Sequence, residues 1–151
     1  MKKPVIILIA VIYLFAILVV GFLGIPARVY NPKVYVTDIT LSFDDKLGRW
    51  DPTGDVEFNY YLRTDKEANF SIVGKVLPLE ATEKKCVFEK LDNFDFYTYS
   101  IDFNEKSGAT IASFTVAPID YGEAKTLRLR VRPNDGNKTI TKLIEITIIN
   151  L

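Results

Sequence analysis

From Val34 to Ile149, apolar side chains recur at every second position in one short segment after another. A strand turns successive side chains to opposite faces, so this period of two predicts strands buried on one face. "DVEFNYYLR" sends Val56, Phe58, Tyr60 and Leu62 one way, and "TLRLRVRP" does the same with Leu127, Leu129 and Val131. "NFSIVGKVL", "KCVFEKL", "FYTYSIDF", "TIASFTVAP" and "TITKLIEITII" read as further strands. In "VYVTDITLSF" the inward set shifts from Val34 and Val36 to Ile39, Leu41 and Phe43, so a bulge is expected near Thr37 and Asp38. Turn-forming stretches separate the segments: "DPTGD", "TDKEA", "NEKSG", "DYGE" and "NDGN". In the last of these, Asp135-Gly136 predicts a tight hairpin with positive φ angles between the final two strands. Seven or eight short strands with no amphipathic helix predict an all-β fold, an antiparallel sandwich over residues 34–151.

The N-terminus obeys a different rule. Val5 to Ile25 carries no charge, and sixteen of its residues are Val, Ile, Leu or Phe. A helix over residues 4–25 would be roughly 33 Å long, enough for a hydrocarbon core of ~30 Å. Pro4 suits its first turn, and Gly24 with Pro26 supplies an exit. A cleaved secretory signal has a shorter apolar core and a small-x-small cleavage site; here Ile25 of "IPA" occupies a small-residue position. The pattern predicts a retained transmembrane signal anchor. Lys2, Lys3 and the α-amine precede it, while Arg28 and Lys33 follow, which points residues 1–3 to the cytoplasm. The expected organisation is a short tail 1–3, an anchor 4–25, a linker 26–33 and an extracytoplasmic domain 34–151. The sequons Asn69-Phe70-Ser71 and Asn137-Lys138-Thr139 fit that side, although each also fits chance occurrence.

Several classes of function are excluded by composition. Lys plus Arg equals Asp plus Glu at 19 each, so bulk positive charge for nucleic acid is missing. The chain has no His, which removes the commonest general base and any Cys–His nucleophile. Cys86 is the only cysteine; it rules out an internal disulfide and reads as a small buried hydrophobe. No phosphate-cradling Gly loop is present, and no small-molecule substrate or cofactor is indicated. An enzyme is not expected. Asp44, Asp45, Asp51 and Asp55 gather hard oxygen donors, but their spacing departs from the calcium loop and predicts a turn capped by Asp side chains.

Three features suit a binding surface. Arg128, Arg130 and Arg132 alternate with core residues and project from one face. They form either an ordinary outer face neutralised by neighbours such as Glu145, or a ladder for carboxylates, phosphates or an acidic partner. Trp50 suits either a plug at one end of the sandwich or a ring that stacks on a glycan or enters the membrane surface. Phe94 and Phe96 oppose the face made by Tyr97, Tyr99, Ile101 and Phe103, as in a strand covered by an internal loop or by another subunit.

"GDVEFNYYLRTDKEANFSIVG" resembles the second and third strands of immunoglobulin-like surface modules, and "FTVAPIDYGEAKTLRLRVRP" is similar to their late strand-turn-strand pattern. Related patterns occur in adhesion-type sandwiches and in sandwiches of the late-embryogenesis-abundant type. Thr64-Asp65 replaces the Asn-x-Gly that often ends the second strand, and the Cys…Trp…Cys of true immunoglobulins is absent. The resemblance implies an immunoglobulin-like β-sandwich with a binding or scaffolding role, and it transfers no site. With the anchor, it leads to a single-pass accessory or scaffolding subunit whose partners are the lipid bilayer and another membrane or envelope protein. The alternative is a structural subunit of a surface appendage or motor, stator-like or pilus-associated.

Overall fold

A computed structural model describes residues 3–23, 32–50, 55–136 and 138–151, with the backbone alone for Val20, Phe22, Leu23 and Trp50. The chain divides into two compact units between Pro32 and Lys33.

The first unit is helix α1, Lys3–Leu23. Its large apolar side chains from Val5 to Val19 are 39–69 % exposed. Among the described residues no helix is long and apolar enough to cross a membrane. The described residues thus do not bear out the expected transmembrane span 4–25, of which Gly24 and Ile25 lie outside them. The linker 26–33 is described only from Pro32 onward.

The second unit is a sandwich. Its nine described strands are β1 (Asp38–Phe43), β2 (Gly48–Trp50), β3 (Phe58–Arg63), β4 (Ala68–Leu77), β5 (Cys86–Lys90), β6 (Tyr97–Asn104), β7 (Ala109–Val116), β8 (Ala124–Pro133) and β9 (Lys142–Ile149). One sheet has the order β1-β4-β7-β6 and the other β2-β3-β9-β8-β5. Every neighbouring pair is antiparallel except β3 and β9, which run parallel from Phe58↔Ile144 to Arg63↔Ile149. With β1, β4, β5, β6, β7, β8 and β9 lettered A to G, the sheets are A-B-E-D and C-F-G. That is the constant-type immunoglobulin arrangement, extended by β3 and β2. The fold is an immunoglobulin-like β-sandwich.

The period-two pattern builds the core directly. Leu127, Leu129 and Val131 from β8 and Ile146 and Ile148 from β9 have no exposed surface, nor has Ile72 from β4. Each such side chain contributes about 1.5–3 kcal/mol on burial. Inward residues of β4 and β8 are aliphatic, aromatic or Gly, so hydrophobic packing replaces the disulfide of true immunoglobulins. Val36 and Ile39 are both buried, three residues apart, which is the expected change of parity before β1.

Three expectations change. The acidic stretch after Phe43 contains a strand, β2, paired with β3 through Gly48↔Tyr61 and Trp50↔Asn59. The connection between β8 and β9 runs over residues 134–141, and among its described residues only Gly136 has a positive φ, at 83°. A tight two-residue hairpin would require Asp135 there as well. Finally, "GDVEFNYYLRTDKEANFSIVG" forms β3 and β4, which lie in opposite sheets. In immunoglobulin order they are the crossed-over first strand and the second strand.

Candidate functional site

β8 lies inside its sheet, flanked by β5 and β9, and its alternation sends Arg128, Arg130 and Arg132 to the outer face. Register then decides their neighbours. Arg128 is opposite Glu145 of β9, and Arg130 is opposite Glu89 of β5. Arg128 Nε donates to Glu145 Oε2 at 2.8 Å. Arg132 Nε donates to Glu89 Oε1 at 2.7 Å, and its Nη2 lies 2.5 Å from the same oxygen. Arg130 Nη1 is 3.9 Å from Glu89 Oε2. The hydrogen bond from Arg132 holds the Glu89 carboxyl below its ordinary range, and the bond to Glu145 raises Arg128.

Two clefts open on this face. Arg130 and Arg132, with Lys138, surround Glu89 in a cleft of about 490 Å³ that also takes in Thr141 and Leu143. Three cations share one carboxylate there, so the cleft keeps a positive surplus suited to carboxylate or phosphate oxygens. The other cleft, of about 540 Å³, is lined by Phe94, Phe96, Lys125 and Arg128, with Asp92 and Asp95 at its side. Its wall is the connection between β5 and β6. Leu91 N–H donates to Arg128 O at 3.0 Å, and Arg128 N–H donates to Asp92 Oδ2 at 2.7 Å. Phe94 is 53 % exposed, with its ring 5.8 Å from Phe96. Arg128 belongs to the arginine row and to this aromatic cleft, which joins two features that the sequence presents separately.

Trp50 is not in the group. Its backbone shares a cross-strand row with Asn59, Glu145 and Arg128, three strands away from β8, and its side chain lies outside the described residues. Glu89, Lys138 and Asp92 are charged neighbours of the arginine row that sequence reasoning missed. The only signal for Glu89 was its outward parity between Phe88 and Lys90.

Elsewhere, burial pushes the Cys86 thiol up to about 11, so it is a protonated core group. Among the described residues no three His, Cys, Asp or Glu side chains gather to hold a metal. Asp44 accepts the Lys46 N–H at 3.1 Å and caps its own turn, while Asp51 lies outside the described residues, as does Asn137. Asn69 Oδ1 accepts a hydrogen bond from the Thr115 hydroxyl at 2.6 Å.

No family model and no curated protein matches the chain. Among solved structures it is similar to Dpr2 Ig1-Ig2, crystallised in complex with DIP-Theta Ig1-Ig3. There the identity is 6 % and the TM-score 0.46, over 77 % of this chain and 33 % of that one. It is also similar to domains 4 and 5 of the S-layer protein SbsC, with 12 % identity and a TM-score of 0.33, over 73 % of this chain and 47 % of that one. The chain thus spans a third to about half the length of these chains. Both likenesses stop at the fold, which here rests on the strand order itself.

Proposed function

We propose that this chain is a membrane-anchored interaction module whose sandwich stands outside the cytoplasm and docks on a neighbouring membrane complex or envelope layer. The observation that carries this reading is α1. Taken whole, the helix has 21 residues, about 31 Å at 1.5 Å each, and is apolar on every side after Lys3. A helix hydrophobic all round belongs in a protein core or a bilayer. Its side chains are open along the whole described run, and a bilayer would cover them all at once.

Anchoring limits what the sandwich can reach. Residues 26–33 extend at most roughly 28 Å, so the domain stays close to the lipid surface. The partner is therefore a protein held in or on the same membrane. The arginine face and its aromatic cleft provide directional hydrogen-bond donors beside exposed apolar rings, a combination common at protein contacts.

The test is fractionation and protease accessibility of the full chain in native membranes. The chain should stay in the pellet after alkaline carbonate, and protease added to sealed right-side-out vesicles should digest the sandwich. Release by carbonate, or an N-terminus beginning near Arg28, overturns the anchor. Protection of the sandwich until detergent is added overturns its placement outside.

A further inference from the structure

The geometry points to β6 as a self-pairing edge, through which two copies of this chain join their sheets antiparallel about Ser100. Four strands end the two sheets: β1, β2, β5 and β6. β2 has three residues and β5 has five, with Glu89 and Lys90 among them. β1 has six and carries Asp38. β6 has eight, Tyr-Thr-Tyr-Ser-Ile-Asp-Phe-Asn, with neither Lys nor Pro and one charge, Asp102. Long edges without Lys, Pro or a bulge are templates for another strand, and proteins ordinarily blunt them.

The phase of the free backbone groups follows from one hydrogen bond. Ala117 N–H donates to Phe96 O at 2.8 Å, in the same register that sets Tyr97 opposite Val116. Residues 96, 98, 100 and 102 therefore face β7 with their backbone groups. Tyr97, Tyr99, Ile101 and Phe103 turn theirs to the open edge. The same four side chains point to the core side, yet Tyr99 and Ile101 remain 37 % and 43 % exposed.

A second β6 placed antiparallel with Ser100 opposite Ser100 matches both requirements. Tyr97 then meets the partner's Phe103, Tyr99 meets the partner's Ile101, and Thr98 meets the partner's Asp102. Apolar side chains share one face and polar ones the other. The residues with outward N–H and C=O groups become the hydrogen-bonded pairs, giving about eight bonds across the two-fold axis. A shift by one residue would put Tyr beside polar groups and turn the wrong backbone atoms together. Near-symmetry about Ser100 is what identifies a second copy as the occupant.

Ser100 on the axis makes a direct test possible. In a non-hydrogen-bonded pair the two Cα atoms lie ~4.5 Å apart, within disulfide reach. The full chain carrying Ser100→Cys, in mild detergent with oxidant, should form disulfide dimers about tenfold faster than Ser113→Cys. Ser113 is exposed on the same face but one strand inward, so its counterpart is ~10 Å farther off. Adding Ile101→Lys to Ser100→Cys should return the rate to that of Ser113→Cys, while the melting temperature of Ile101→Lys stays near wild type. Equal rates at positions 100 and 113, as contact through α1 alone would give, overturn the proposal. Cross-linking at 100 that ignores Ile101→Lys overturns it too.

Discussion

Gly74 of β4 faces Cys86 of β5 across the sandwich, so closely that a Cβ on Gly74 would stand 3.2 Å from Cys86 Sγ and 3.3 Å from Phe88 Cζ. Cys86 is not free to retreat, because its N–H donates at 2.9 Å to the buried hydroxyl of Thr110 on β7. That bond joins one sheet to the other. Gly74→Ala should therefore destabilise the sandwich by about 1–3 kcal/mol in denaturant unfolding. Cys86→Ala placed beside it should recover part of the loss, because it removes the sulfur that the new methyl meets.

Thr110 gives a second, independent measure of this junction. It is 1 % exposed, and its Oγ1 is the acceptor for a buried backbone donor. Thr110→Val keeps the shape and leaves that N–H unpaired, at a cost of about 1–3 kcal/mol. Thr110→Ser keeps the acceptor and should lose less. A Val variant as stable as wild type in denaturant unfolding would show that the bond is dispensable.

Stability should fall in alkali in two steps. Burial raises the Cys86 thiol from about 9 to about 11, and burial, then Asp92 and Tyr99, raises the Tyr97 phenol from about 10 to about 12. Both groups hold protons more tightly when folded, so their contributions are complete below the unfolded values and vanish as pH climbs through the folded ones. Cys86→Ala should remove the fall between pH 9 and 11, and Tyr97→Phe the fall between pH 10 and 12. The Tyr97 hydroxyl is buried without a hydrogen-bond partner among the described residues, so Tyr97→Phe should cost little stability at neutral pH. Melting curves across pH 8–12 check each step.

At the acid end the reporter is Glu89. Its carboxyl is lowered first by the Arg132 hydrogen bond and then, against some desolvation, by the surrounding cations. Arg132→Gln should move its NMR titration midpoint upward toward the ordinary value of 4.5, with Arg130→Gln moving it less. The linked stability is present above the unfolded value and is lost as pH falls through the folded one. The wild type and Arg132→Gln should therefore converge in stability at the lowest pH.

The strands that alternate cleanly were legible in the sequence because parity is a local property: Tyr60 and Leu62 in β3, or Leu127 to Val131 in β8, declare their buried face unaided. Pairing is not local. Nothing near Phe58 announces a parallel partner at Ile144, and nothing in "GRW" announces β2. The arginine row was readable from alternation, and so was Glu145 across the last connection. Glu89 was not, since its place beside Arg130 and Arg132 depends on β5 finding β8 across residues 91–123. The aromatic stretch divided: Tyr97 is buried and Tyr99 stacks on Phe114 at 5.6 Å, while Phe94 opens into the cleft.

The parallel pairing of β3 with β9 also sets a timetable. A ribosome makes β3 more than eighty residues before the strand that completes its sheet, because Phe58 waits for Ile144. Until β9 arrives, β3 and β8 lack the neighbour between them, and their apolar faces stay open. A sandwich carried across a membrane in chain order, from residue 34 onward, would hold these strands unsealed throughout its passage. Closure of the domain would then coincide with the emergence of residues 142–149, and a stall just short of them would leave an adhesive, half-built sheet at the exit.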